Sequence, residues 1–224
     1  TVNIPNPAYR HGEYVNSYIQ VVVVLTKRLS AAITKFIAVS FPEKGEDELE
    51  IIWYGLEGIF STLFKTILIF IIGYCLKIIL PLTLAITTFG LLRTFASGVH
   101  LKSGWTCLLF STVTFFFITY AGLYVPLTHL LKVAMFAVSF ILLALYAPAD
   151  TEERPLVCEK ARHDLKKSSL VTAGILFIIA MILPVNNIVG NIIAWSVIIE
   201  SVMTTPMIYY FFNRRYRNYE YYES

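Results

Sequence analysis

Thr106-Cys-Leu-Leu-Phe-Ser-Thr-Val-Thr-Phe-Phe-Phe-Ile-Thr-Tyr-Ala-Gly-Leu-Tyr-Val125 runs for twenty residues without one charged side chain. At ~1.5 Å per residue, a helix of that length crosses the ~30 Å hydrocarbon layer of a bilayer. The stretch has company. Similar apolar runs lie at Trp53–Leu76, Ile78–Leu92, Val133–Ala147, Leu170–Val185 and Ile188–Phe212. Of the 224 residues, 57% are hydrophobic and 15% charged, against about 25% charged in an average soluble domain. No soluble core of this size hides so much apolar surface. Membrane barrels show weak alternating segments instead of long unbroken runs. The expected class is therefore all-α, a polytopic membrane bundle of about six transmembrane helices. Ile78–Leu92 carries Pro81 and Gly90, so a kinked or re-entrant segment is an alternative there.

Outward from the spans, Tyr14–Phe41 mixes apolar residues with Lys27, Arg28 and Lys35. That pattern suits an amphipathic helix lying in the interface, and the interrupting charges argue against a cleavable signal. Pro42–Glu50 reads as an acidic connector. The expected organisation is an interfacial segment over 1–50, a bundle over 51–212 with a cytoplasmic loop at 148–169, and a cytoplasmic tail over 213–224. With six spans, every Lys and Arg of the 18 except Lys65, Lys77 and Lys132 falls on one side. By the positive-inside rule that side is cytoplasmic, and both termini lie there. An odd number of spans would scatter the basic clusters. The net charge of +3 is too small to suggest nucleic acid. Cys75, Cys107 and Cys158 make neither a paired framework nor a CxxC zinc spacing, so no metal or other cofactor is expected.

The densest polar cluster outside the charged loop is Arg93-Thr-Phe-Ala-Ser-Gly-Val-His-Leu-Lys-Ser-Gly-Trp-Thr-Cys107. His100 and Cys107 stand seven apart, and cysteine proteases need a thiolate to attack and an imidazole to activate it. In one unbroken helix the two would lie ~10.5 Å apart along the axis, too far for proton transfer. A working pair demands a chain break, for which Ser103-Gly104 supplies suitable residues. Ser103 can then cap a helix starting near Gly104, placing Cys107 in or just after its first turn. The positive helix end, with Lys102 or Arg93 nearby, favours thiolate, and free N–H groups there can form an oxyanion hole. Spacing alone leaves the plainer reading open: an interfacial histidine, and a cysteine that fills a span.

At this cluster the sequence resembles the accessory gene regulator B family of Gram-positive bacteria, membrane endopeptidases that process autoinducing peptide precursors. The family pattern is an Arg, a small-residue turn with Gly before His, and Cys seven residues later, here Arg93, Gly98, His100 and Cys107. Tyr146-Ala-Pro-Ala-Asp150 looks like the family's loop after the fourth span. Ile199-Glu200-Ser201 with Pro206 resembles its last span, and Gly55-Leu-Glu57 with Lys65 the start of its first. Two features depart: Ser97 replaces the second Gly of the commoner Gly-Gly turn, and the charged loop is more acidic. The resemblance implies a precursor peptide with an amphipathic leader, a signal sequence and an acidic tail. It further implies His100 and Cys107 as catalytic residues, and a homodimer in membrane lipid.

Two carboxylates, Glu57 and Glu200, fall within predicted spans. An intramembrane charge costs ~2.5–3.5 kcal/mol on insertion scales and needs a partner or a polar cavity. Glu57 is a candidate to orient His100 as a third member, and Glu200 to pair with a basic residue across the bundle or a dimer. Ordinary buried hydrogen bonds are the competing explanation for both. Arg93 can steer an acidic peptide tail, support the turn, or snorkel as an interface anchor. Lys160, Arg162, Lys166 and Lys167 either meet an acidic tail or only set topology. The rival class is a small transporter or channel in which Glu57, Glu200 and Lys65 line a polar path.

Overall fold

The computed structural model describes residues 17–101, 104–152 and 155–223. Those residues form helices α1 (Ser17–Ser40), α2 (Glu46–Cys75), α3 (Ile79–Ala96), α4 (Gly104–Tyr124), α5 (His129–Tyr146), α6 (Glu159–Ile182), α7 (Ile188–Met203), α8 (Pro206–Phe211) and α9 (Glu220–Glu223). The chain divides into two compact units, one ending at Ile67 and the other beginning at Leu68. Helices α2 to α6 are long and apolar enough to cross a membrane, and α7 is a shorter apolar helix. The protein is an all-α, multi-pass bundle.

Two expectations need correction, and one alternative falls away. The acidic connector is shorter than its composition suggested, because α2 already starts at Glu46 with Glu46, Asp47 and Glu48 in its first turn. Carboxylates there face the positive end of the helix and favour its extension. The second span is neither re-entrant nor broken. Pro81 lies in the first turn of α3, where its missing N–H has no intrahelical partner to lose. The last span is not continuous to Phe212. It breaks at Thr204–Thr205, where Thr204 Oγ1 donates to the Ser201 carbonyl and Thr205 Oγ1 to that of Val202 (both 2.7 Å). Pro206, which has no N–H to give, then restarts the chain as α8.

In the second unit α7 is the centre, packed against α3, α4, α5 and α6. Its Gly190, Ile192, Ile193, Ala194, Ser196, Val197 and Glu200 are all buried, and a helix buried on most faces can be apolar all round. Asn187 caps it, its Oδ1 accepting from Val189 N at 2.9 Å. A Cβ on Gly122 would run into Ile192, so glycine there sets how closely α4 approaches α7. Around this centre, Leu92, Phe136, Leu143, Leu176, Ile193 and Val197 form one apolar cluster. Phe89, Val99, Ile118, Ile192, Met203 and Tyr209 form a second. The outer surface carries Leu80, Leu130 and Ile182, each close to 80% exposed. Lipid is the solvent that accepts such a surface.

Candidate active site

Helix α3 ends where Ser97 turns to φ 59°, ψ −142°, its N–H donating to the Arg93 carbonyl at 2.9 Å. Gly98 follows at φ 134°. A Cβ on Gly98 would stand 3.0 Å from Arg93 Nη1 and 3.4 Å from the Met203 carbonyl oxygen, so both conformation and space require glycine. Two distant parts of the chain, the loop after α5 and the end of α7, fasten this turn. Ala149 N–H donates to the Ala96 carbonyl (2.9 Å), and Gly98 N–H donates to the Ala149 carbonyl (3.0 Å). Val99 N–H reaches the Met203 carbonyl at the end of α7 (3.4 Å). Arg93 Nη2 donates to the Val99 carbonyl at 2.7 Å, while Nη1 meets Glu200 Oε2 at 3.2 Å.

Val99 is buried and His100 beside it is exposed, so the imidazole follows a backbone that is held at Gly98 and Val99. Residues 97–101 are not helical, and α4 starts at Gly104, three residues before Cys107. The straight-rod arrangement that would keep the two side chains apart is thereby excluded. Cys107 is a half-buried free thiol in the first turn of α4. The expected cap Ser103 and the neighbouring Lys102 lie outside the described residues.

Arg93, Gly98 and Glu200 come together. The Arg93 charge is engaged by Glu200, whose side chain is fully buried while that of Arg93 is 28% exposed. The polar partner anticipated for Glu200 is thus a residue of the same chain. Glu57 sits half-buried on α2 in the first unit, and makes no hydrogen bond or ion pair among the described residues.

A further group was not singled out from the sequence. Tyr209, buried at 1% exposure, has its hydroxyl within hydrogen-bond reach of the carbonyls of Ala149 (3.2 Å) and Asp150 (2.8 Å). The Asp150 carboxylate accepts from Asn218 N (2.9 Å), Tyr219 N (2.8 Å) and Leu156 N (3.4 Å). Glu152 adds an ion pair to Arg214 (3.4 Å). The C-terminal segment therefore folds onto the loop that braces Gly98. The only sequence signal for this was Asp150, standing directly after the Tyr-Ala-Pro-Ala stretch.

A family model described as Accessory gene regulator B matches residues 30–204, more than half of the chain. The chain belongs to the accessory gene regulator B family. It is 32% identical over 165 residues to a putative AgrB-like protein of Clostridium acetobutylicum, covering 74% of this chain and 78% of that one. A putative AgrB-like protein of Listeria monocytogenes serotype 4a is 31% identical over 170 residues, 76% of this chain and 83% of its own. The accessory gene regulator protein B of Staphylococcus carnosus is 33% identical over 138 residues, 60% of this chain and 71% of its own. No solved structure matches. Within this accessory gene regulator B chain, the matched region contains Arg93, Gly98, His100, Cys107, Asp150 and Glu200. Tyr209 and Asn218 lie beyond it.

Proposed function

We propose that the chain is a cysteine endopeptidase of the cytoplasmic membrane face, working in quorum sensing on a precursor of an autoinducing peptide. The observation that carries the reading is the fastened turn at Ser97–Val99. It sets His100 out from a braced backbone and lets a new helix begin just before Cys107. Family membership adds the peptide substrate, and the homodimer that the resemblance implies.

In this mechanism His100 takes the proton from Cys107, and the sulfur attacks the carbonyl at the end of the signal segment. The tetrahedral oxyanion faces the first N–H groups of α4, which have no partner within their own helix. Collapse breaks the C–N bond, His100 returns the proton to the departing amine, and the C-terminal tail leaves. A thioester on Cys107 remains. A cysteine or serine inside the peptide then attacks that thioester, releasing Cys107 and closing a thiolactone or lactone. Exchange of one thioester for another is nearly isoenergetic, so water has to be kept from the intermediate. Arg93 acts as a positioning residue, because its guanidinium holds the Val99 carbonyl next to His100.

The decisive measurement incubates purified protein in lipid with a candidate precursor and follows it by mass spectrometry. A covalent adduct on Cys107 is expected, lost in Cys107→Ala and His100→Ala proteins that remain folded. An active preparation that never carries an adduct on Cys107 would refute the mechanism.

A further inference from the structure

Behind the brace on Gly98 lies a cleft of about 270 Å³, between the end of α5, the start of α6 and the C-terminal segment. Its wall includes Ala149 and Asp150, and its basic lining residues Arg162, His163, Lys166 and Arg217 outnumber its acids Asp150 and Glu159, with Arg217 paired to Glu220 at 3.2 Å. Asp150 spends its carboxylate on the N–H groups named above, and the other acid of the lining, Glu159, is exposed. Arg162 is fixed in place: Nη1 donates to the Leu156 and Val157 carbonyls (2.8 and 2.9 Å), and the guanidinium lies 4.1 Å from the centre of the Tyr219 ring. Lys166 is half-buried and has no ion-pair partner among the described residues. Burial pushes the Tyr216 phenol above its ordinary range, against a side-chain hydrogen bond with Arg217. These groups suit an anion with several acceptor oxygens.

The surroundings of the cleft identify the source of that anion. Leu145 lines it, and Leu145, Ile141 and Val138 share one face of α5, exposed by 58%, 58% and 48%. This apolar track runs from the cleft along a membrane-spanning helix. We infer that the cleft holds the phosphate of an anionic lipid of the cytoplasmic leaflet, with Lys166 and Arg162 on the phosphate and an acyl chain along Val138, Ile141 and Leu145. Basic pockets between spans on the cytoplasmic side have the chemistry for such headgroups. The site is separate from His100 and Cys107, and shares with the peptidase reading the orientation in the bilayer and the loop at Ala149.

The test uses full-length protein in detergent, titrated with phosphatidylglycerol, phosphatidylcholine, inorganic phosphate or a glutamate-rich peptide, with native mass spectrometry counting what remains bound. Phosphatidylglycerol is expected to bind roughly tenfold tighter than phosphatidylcholine. Lys166→Glu should lose about tenfold in affinity, and Lys166→Gln should lose less. Lys167→Glu carries the same charge change one residue outside the lining, and should bind as the parent does. Circular dichroism checks that each variant is folded. Equal binding of the two lipids, or equal losses at positions 166 and 167, would overturn the site. Displacement by inorganic phosphate mole for mole would show a free-anion site instead. Displacement by the acidic peptide would assign the cleft to a peptide. Either result overturns the lipid. No peptide is processed in the assay, so its failure leaves the peptidase reading standing.

Discussion

Ser97 sits at φ 59°, ψ −142°, a region that glycine enters freely and other residues enter at a cost of order 1–3 kcal/mol. Its strain is tolerated because the residues on either side are tied to Ala149. Ser97→Gly is therefore expected to raise the thermal stability of the purified protein without reducing adduct formation. Gly98→Ala should do the opposite. It puts a methyl group 3.0 Å from Arg93 Nη1, and the displaced guanidinium would let go of the Val99 carbonyl. Glu200→Gln tests the other end of the same contact. Leaving the Arg93 charge without its buried counter-ion should cost about 3 kcal/mol, read as a drop in the unfolding midpoint. Adduct formation should slow more than peptide binding weakens, since in the proposed mechanism the pair positions His100. A weakened peptide affinity with an unchanged adduct rate would assign Arg93 to peptide steering instead.

At the scale of elements, Lys132 presents a conflict. It lies in the first turn of α5, fully buried, and its Nζ has no hydrogen-bond partner among the described residues. A cation near the positive end of a helix is unfavourable, and an unpaired buried charge costs more than an apolar residue of similar shape. Lys132→Met should raise the denaturation midpoint by the equivalent of about 1–3 kcal/mol. Tyr209→Phe should lower it by about 1–2 kcal/mol, and should loosen the Ala149 loop enough to raise hydrogen exchange at Gly98. The spans were legible because length and apolarity suffice to place a helix in lipid, and the start of α4 because Gly104 reads as a helix beginning. The break at Thr204–Pro206 was not, since threonine hydroxyls that bond back to their own helix look apolar enough in a run of Ile, Val and Met. Nor was the brace legible. Arg93 meets Glu200 across 107 positions and Asp150 meets Asn218 across 68, and no local pattern encodes such distances. Sequence named Arg93 and Glu200 singly as residues needing an explanation, and the fold supplied it by joining them.

For the molecule as a whole, the orientation read from its basic residues can be tested with its own thiols. Cys75 and Cys158 are both exposed, at the C-terminal end of α2 and in the loop before α6. In intact cells a membrane-impermeant maleimide should label Cys75 but reach Cys158 only after permeabilisation. Labelling of both from outside would invert the topology, and with it the side on which the proposed chemistry happens. The fastening of Ser97–Val99 has a further consequence, which concerns biogenesis. Two of its partners, Glu200 and Met203, are made more than a hundred residues after Arg93. A nascent chain that has inserted α3 and α4 already carries the imidazole and the thiol, but nothing yet holds them in register. On the proposed mechanism, Cys107 therefore gains its positioned imidazole only once the final apolar segment has entered the bundle.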